Sequence, residues 1–157
     1  MDLGAKYQGY CADITRTYPV NGTYTPRQRQ VYDILLRANR AVAKAAKPGV
    51  RLSELNTVCK QVLAKGCIEL GLIQDANELG TYYMHGVSHH LSIDVHDVSV
   101  GNDEPLKPGA VITDDPGLYI DQWEIGSGLR MICSLRRTAV KYFLRILSVT
   151  QMKLRHL

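Results

Sequence analysis

Two consecutive stretches with helical periodicity constrain the fold of this chain more than any other feature. In the first, from about residue 26 to residue 46, apolar side chains recur at helical spacing. Thr25 precedes it as a candidate N-cap, and Gln28 completes the capping-box pattern three residues later. Pro48-Gly49 follows the run, so the sequence predicts one long helix that ends there.

The second stretch predicts a helix that begins after Ser53 and ends near Gly71. Segments with strand character flank the two helices. Residues 1–20 predict a β-hairpin, and from Tyr82 onward short segments rich in Val and Ile alternate with tight turns. Because the helices and strands are kept apart in the sequence, we expect an α+β fold with a mostly antiparallel sheet and helices on one side.

The composition is that of an ordinary globular domain. With 45% hydrophobic and 22% charged residues, the 157-residue chain can bury one core. Its apolar runs are short, and its first residues lack signal-peptide character, so the sequence predicts a cytoplasmic protein without membrane contact. Four scattered cysteines form no Cys-x-x-Cys pair, which predicts reduced thiols and argues against a zinc ribbon or a disulfide framework.

The net charge of +4 is unevenly distributed along the chain. Residues 125–157 contain seven Lys or Arg and no acidic residue, whereas residues 1–124 carry twelve basic against fifteen acidic side chains. The basic pI therefore describes the tail, and we expect no nucleic-acid partner. An alternative for this tail is a basic amphipathic segment at residues 139–149 that meets a partner or a membrane surface.

Two aspartates in the first hairpin are candidate metal ligands. If Tyr7 and Gln8 form the turn, Asp2 directly faces Asp13. Directly opposed side chains are about 5 Å apart, and two like charges destabilise a sheet unless a cation neutralises them. Solvated strand ends are the simpler interpretation, and the hairpin alone favours it.

A histidine cluster is the second candidate. Four of the five histidines lie within a dozen residues, in His85-Gly86-Val87-Ser88-His89-His90 and Asp94-Val95-His96-Asp97. Imidazole is the commonest metal ligand and a neutral-pH acid or base, so the cluster indicates metal binding or catalysis. The simpler interpretation makes His90 a partly buried histidine and lets Asp94 and Asp97 bind turn backbone. No His-Glu-x-x-His pattern is present.

The third candidate is the apolar strand segment that ends in Asp114 and Asp115 before Pro116-Gly117. An acidic residue at a strand end can cap a turn. That role is sufficient for Asp114, and it explains Asp115 less completely when the other two clusters are considered.

Together the three elements resemble the Xaa-Pro aminopeptidase and prolidase family. The resemblance covers roughly residues 2–130 and rests on pieces in a fixed order. These are Asp2, Gly9-Tyr10-Cys11-Ala12-Asp13-Ile14-Thr15, Met84-His85-Gly86-Val87-Ser88-His89, Asp94-Val95-His96-Asp97 and Thr113-Asp114-Asp115-Pro116-Gly117-Leu118-Tyr119-Ile120. It implies the pita-bread fold and hydrolysis of peptides with proline in second place, with a homo-oligomer as a possible assembly.

The resemblance also implies a dinuclear metal site, commonly with manganese. The matching ligand positions are Asp2, Asp13, His89 and Asp115. His85 and His96 match helper histidines that contact the substrate and stabilise charge. Arg130 matches an arginine just before the last ligand, and the resemblance places it with His85, His96 and Asp115 among the catalytic positions.

The chain departs from the family pattern at three positions. Asp115 stands where the family has Glu, which withdraws the carboxylate by roughly 1.5 Å. Ile132 stands where the family has a metal-bridging Glu, so we expect a second metal ion to be weakly held or absent. Ser92 replaces a glycine. An impaired or inactive binding module of the same fold is therefore the alternative to an active enzyme.

The sequence predicts two parts. Residues 1–131 are a partial catalytic domain, truncated at both ends, and residues 132–157 are a divergent basic tail. The tail resembles no closing strand of the family, and its composition is typical of a replaced or frame-shifted end.

Overall fold

A computed structural model describes residues 1–98 and 103–136 in full and residues 140–142 by their backbone. The strands and helices follow in the order β1 (Asp2–Leu3), β2 (Lys6–Tyr7), β3 (Tyr10–Cys11), β4 (Ile14–Thr15), α1 (Pro26–Ala45), α2 (Leu52–Glu69), β5 (Val111–Asp114), β6 (Gly117–Ile120), β7 (Ile125–Gly128), β8 (Met131–Leu135) and β9 (Val140–Tyr142). Two short 3-10 turns occupy Ala76–Thr81 and Asp121–Trp123. The predicted α+β class is confirmed.

Helix α1 begins where the sequence predicts. The Thr25 hydroxyl accepts from the backbone N–H of Gln28, and the Gln28 side chain accepts from the backbone N–H of Thr25. Two otherwise unpaired groups at the helix start are thus satisfied reciprocally. The helix ends at Ala45, one residue before the predicted end.

Helix α2 begins at Leu52, earlier than predicted. The sequence favoured a start after Ser53, but the Ser53 N–H donates to Asp103 Oδ1 at 2.8 Å and its hydroxyl contacts the same carboxylate. Glu54 caps the helix instead by accepting from the N–H of Arg51 at 2.8 Å. The predicted end is confirmed, because Gly71 follows the helix with a φ of 69° that glycine adopts without strain.

The antiparallel sheet that carries the site has β8 between β5 and β9. Residues 87–91 lie along the free edge of β5 without forming a named strand. Their backbone bonds are Leu91 N–H to Val111 O, Thr113 N–H to His89 O and Asp115 N–H to Val87 O, at 2.7 to 3.1 Å. The strand character predicted from Tyr82 onward is therefore only partly regular.

The core lies between this sheet and the two helices, as expected for helices on one side of a sheet. Val31, Leu35 and Ala38 of α1 are fully buried, and Leu55 and Leu63 of α2 pack with them. The helices approach closely at Gly66, where an added Cβ would lie 2.6 Å from the Ile34 side chain. A side chain at that position would force the two helices apart.

All four cysteines are free, as the sequence predicts. Burial raises the pKa of Cys59 to about 12 and of Cys67 to about 11. None of the helices in the described part of the chain combines the length and apolarity that a membrane crossing requires. The cytoplasmic location stays a prediction.

Strand β8 runs through residues 131 and 132, where the sequence predicted the start of a divergent tail. The division into 1–131 and 132–157 stays a prediction about the sequence. The amphipathic segment proposed for residues 139–149 lies largely outside the described residues.

Candidate metal and peptide site

The first hairpin has a different register from the predicted one. Its turn residues are Gln8 and Gly9, with φ of 49° and 88°, and Asp2 pairs with Thr15. The predicted Tyr7-Gln8 turn and the direct Asp2–Asp13 pairing are wrong. A two-residue hairpin turn of this kind requires positive φ at both central positions, which glycine accepts and tyrosine resists. The shift is by two residues, so Asp2 and Asp13 still share one face of the hairpin.

The pairing of the neighbouring strands brings the other candidate site residues onto the same face as Asp2 and Asp13. Thr15 pairs with Arg130, and the β5–β8 register places Arg130 opposite Asp115. The pairing of residues 87–91 with β5 in turn places His89 opposite Thr113, two residues before Asp115. Because opposed residues in a sheet project to the same side, the candidate ligands of four separate segments converge.

Arg130 lies at the centre of this cluster. Its Nη1 is 3.1 and 3.2 Å from the two Asp2 carboxylate oxygens and also contacts Asp13 Oδ1, while its Nη2 is 2.6 Å from Asp115 Oδ2. Burial lowers the pKa of Arg130, but its hydrogen bonds to Asp115 and Asp13 raise the pKa by more. The guanidinium thus remains charged and neutralises part of an acidic site.

His89 faces Asp13 through Nε2. His89 Nδ1 lies 3.0 Å from the carbonyl oxygen of His90, which can only accept, so Nδ1 carries a hydrogen and Nε2 is the ring nitrogen left to face Asp13. His89 Nε2 is 3.3 Å from Asp13 Oδ2, and among the described residues neither atom has a hydrogen-bond partner. A buried carboxylate oxygen and a ring nitrogen this close are stabilised by a positive charge between them, from a proton on Nε2 or from a bound cation.

These two atoms fit one divalent cation. Ligands with metal bonds of about 2.1 Å and near-tetrahedral angles are about 3.4 Å apart, close to the separation observed. The nitrogen and oxygen donors suit manganese or zinc better than a soft metal.

The donor set does not fit a second cation. The β5–β8 register puts Ile132 opposite Thr113, on the site face, where it contributes no oxygen. Within residues 1–98 and 103–136 no group of three or more His, Cys, Asp or Glu is arranged to hold a metal ion, so the pair of Asp13 and His89 has no third ligand in place and no donors are left for a second ion. The Arg130 guanidinium contacts Asp2, Asp13 and Asp115 on the same face.

The two candidate helper histidines lie on different sides of this cluster. The His96 ring stacks edge-on against His89 with centroids 4.5 Å apart. His85 Nε2 is 3.1 Å from the Tyr119 hydroxyl, and its Nδ1 lies 3.0 Å from the carbonyl of Gly86, so Tyr119 donates to His85. Gly117 makes room for this pair, because an added Cβ would lie 2.8 Å from His85 Nε2.

Tyr119 is a site residue that the sequence did not reveal as such. Burial, and to a smaller extent the charge of Asp115, raises the pKa of Tyr119 above its ordinary value. The hydroxyl therefore stays protonated and can donate. The only signal in the sequence is that Tyr119 follows Gly117 by two residues along β6. Residues two apart in a strand project to the same face.

Asparagines on the two helices hold the site strands in place. Asn39 of α1 is fully buried and donates to the backbone carbonyl of Asp114 at 3.3 Å. Asn56 of α2 accepts from the Tyr83 hydroxyl at 3.1 Å and from the Val87 N–H at 3.3 Å. Neither residue belongs to a sequence motif, because each bonds to a segment far away along the chain.

Asp114 and Asp115 face opposite ways. Asp115 meets Arg130 on the site face, whereas Asp114 is fully buried on the core side next to Asn39. Burial and then the Asp115 charge raise the pKa of Asp114 well above its ordinary value. Of the acidic pair, Asp115 is therefore the residue available to the site.

Comparison with known proteins gives consistent matches. The model of metallopeptidase family M24 matches residues 1–138. The chain is 42% identical over 130 residues to the Xaa-Pro aminopeptidase of Escherichia coli K12. The matched region covers 76% of this chain and 30% of the relative. It is 39% identical to the mitochondrial intermediate cleaving peptidase 55 of Arabidopsis thaliana, over 76% of this chain and 24% of the relative.

Solved structures agree. An aminopeptidase P from Bacillus anthracis superposes with a TM-score of 0.87 at 44% identity, over 90% of this chain and 34% of that one. A zinc-substituted E. coli aminopeptidase P in complex with product gives a TM-score of 0.84 at 36% identity, over 90% of this chain and 36% of that one.

This chain therefore spans about a third of the relatives that it matches. The predicted pita-bread fold and the resemblance to Xaa-Pro aminopeptidases are both confirmed. The register that brings Asp13, His89 and Asp115 together and the matches over most of the sequence lead to one conclusion: the chain belongs to metallopeptidase family M24.

Proposed function

We propose that the chain carries the site of a metal-dependent aminopeptidase that hydrolyses the N-terminal Xaa-Pro bond of peptides. The observation that carries this proposal is the buried, unpartnered pair of Asp13 Oδ2 and His89 Nε2, 3.3 Å apart on the face shared with Asp115. Relatives named Xaa-Pro aminopeptidase supply the substrate class. Because the chain spans about a third of those relatives, the activity is a proposal about this site and does not follow from the names of the relatives.

In this proposal Asp13 and His89 hold a divalent cation, manganese by preference, with Asp2 and Asp115 at the edge of the site. A second cation, which the family pattern would add, is weakly held or absent here because Ile132 supplies no carboxylate. When bound, the cation would lower the pKa of a coordinated water and polarise the scissile carbonyl.

The chain's own polar groups have separate roles. The pair of His85 and Tyr119 would hold a substrate backbone group by exchanging the hydrogen bond between them, and His96 supports His89 through their edge-on contact. Arg130 offsets part of the charge of the carboxylates. The peptide would be bound on this face by hydrogen bonds to these fixed donors.

Hydrolysis of a peptide with proline in second place tests the proposal. We expect the purified chain with added manganese to release the first residue slowly, and His89→Ala to abolish the release because it removes one of the two fitted donors. A matched peptide with alanine in place of proline is the control. No release with manganese, zinc or cobalt would contradict catalysis by this chain.

A second candidate function is a peptide-binding module that has lost catalysis. Ile132 and the shortened Asp115 favour it, since misplacing a catalytic group by about 1 Å can cost roughly a hundredfold in rate. Binding of the same Xaa-Pro peptide without its hydrolysis would identify this case. A homo-oligomer stays a prediction that the molecular mass in solution tests.

A further inference from the structure

The first hairpin has two unlike faces. One face carries the two aspartates of the candidate site, and the pairs Leu3–Ile14 and Tyr7–Tyr10 project to the opposite face, which we call the outer face. Leu3, Tyr7 and Tyr10 are 56%, 76% and 63% exposed. Because a continuous apolar face of a sheet is normally covered by another layer, the described part of the chain leaves the outer face without one.

An acidic cleft of about 470 Å³ adjoins the outer face at Tyr10. Buried Leu91 and Leu106 form part of its apolar wall. Among the described residues its charged lining comprises three acidic side chains and one lysine, namely Asp97, Asp103, Glu104 and Lys107. The outer face and the cleft together therefore suit a segment that is both apolar and basic.

Strand β9 points toward the hairpin. It runs antiparallel to β8 and ends at Tyr142, opposite Cys133. The same direction along β8 leads in three residues to Arg130, which pairs with Thr15 of the hairpin. Fifteen residues of this chain follow Tyr142. At about 3.3 Å per residue they can span roughly 50 Å, which is longer than the hairpin.

The composition of the segment 143–157 is complementary to this surface. Eight of its fifteen residues are apolar, three are Lys or Arg, and none is Asp or Glu. Left in water, these apolar side chains would add a second hydrophobic surface to that of the hairpin. The basic side chains among them match the acidic lining of the cleft.

We propose that the segment 143–157 docks on the outer face of the first hairpin. Its apolar side chains cover Leu3, Tyr7 and Tyr10, and its basic side chains lie at the acidic cleft. Two apolar surfaces are thereby removed from water together. The inference goes beyond the proposed function, because it requires neither a metal ion nor hydrolysis.

Nitration of tyrosines by tetranitromethane in the intact wild-type chain tests the docking. Tyr18, at 45%, is less exposed than Tyr7 and Tyr10. A bare outer face therefore predicts that Tyr7 and Tyr10 react before Tyr18. We expect the reverse order, with Tyr7 and Tyr10 nitrated about tenfold more slowly than Tyr18, because the docked segment leaves them accessible only when it opens. Faster nitration of Tyr7 and Tyr10 than of Tyr18 would overturn the proposal.

The double variant Tyr7→Ser, Tyr10→Ser tests the same contact from the side of the segment. Trypsin cleavage after Arg145, followed by mass spectrometry, should be about tenfold faster in the double variant than in the wild type, because the segment loses the aromatic surface on which it packs. Tyr18→Ser is the matched control, since Tyr18 lies outside the hairpin strands, and it should leave the wild-type rate unchanged. Equal rates in the wild type and the double variant would contradict the docking.

The molecular mass in solution separates this occupant from a second copy of the chain. We expect the wild type and the double variant to have the same mass, because the docking is within one chain. A wild-type dimer that dissociates in the double variant, with cleavage after Arg145 unchanged, would assign the outer face to a second copy and overturn the proposal. The nitration order is measured on the wild type, so the test does not depend on the folding of a variant.

Discussion

Replacing Ile132 by Glu is expected to tighten manganese binding by about a hundredfold. Ile132 projects to the site face beside Arg130, and β8 holds its backbone in register with β5. A carboxylate there adds the missing oxygen donors. It also adds a fourth negative charge to a group of three carboxylates of which Arg130 offsets only one, so a further cation is favoured.

Calorimetric titration with manganese measures this effect. Ile14→Glu is the matched control, because Ile14 lies on the opposite face of the hairpin from Asp13 and should leave the affinity unchanged. Adding Asp115→Glu to Ile132→Glu should tighten binding further, since the longer side chain reaches past the guanidinium. Unchanged affinity in both variants would mean that the site is disrupted more widely than at these two positions.

Asp114→Asn is expected to stabilise the chain at neutral pH by roughly 2 kcal/mol, which is a large effect for one isosteric change. Asp114 is fully buried, and neither of its carboxylate oxygens has a hydrogen-bond partner among the described residues. Burial and the charge of Asp115 raise the pKa of Asp114 above its ordinary value of 3.8. At neutral pH the folded chain must hold a proton on Asp114 that the unfolded chain releases, which lowers the stability of the fold.

The sign of the pH dependence follows from the raised pKa. Above about pH 4 the unfolded chain has lost the Asp114 proton while the folded chain keeps it, so stability falls as pH rises toward the folded pKa. The slope is up to about 1.4 kcal/mol per pH unit. Asparagine has no proton to lose, so the variant should lack this slope.

Chemical denaturation between pH 4 and pH 8 measures the difference in the free energy of unfolding. Asp121→Asn is the control, because Asp121 is exposed and its removal should leave the slope unchanged. Equal slopes for the wild type and Asp114→Asn would show that Asp114 does not carry the effect.

Local sequence signals predicted the helices better than the strand register. The capping box of α1 involves residues three apart, and Gly71 ends α2 through its own φ, so both could be predicted from short windows. The start of α2 could not, because Asp103 binds Ser53 from fifty residues away. The hairpin register depended on which of two adjacent dipeptides forms the turn, and the choice of Tyr7-Gln8 was wrong.

In the candidate site, too, short sequence motifs predicted some features, whereas features that depend on strand register could not be predicted. The sequence motifs named Asp13, His89 and Asp115, and the sheet brings these residues to one face. The central position of Arg130 could not be predicted, because it depends on the pairing of residue 130 with residue 15 and of β8 with β5. Long-range register of this kind leaves no trace in a local pattern.

The number of manganese ions bound per wild-type chain tests the central claim most directly. Equilibrium dialysis followed by elemental analysis gives this number without any assumption about activity. One ion per chain is expected, because the spacing of Asp13 and His89 suits one shared cation, while Ile132 supplies no carboxylate for another. Two tightly bound ions per chain would contradict the claim.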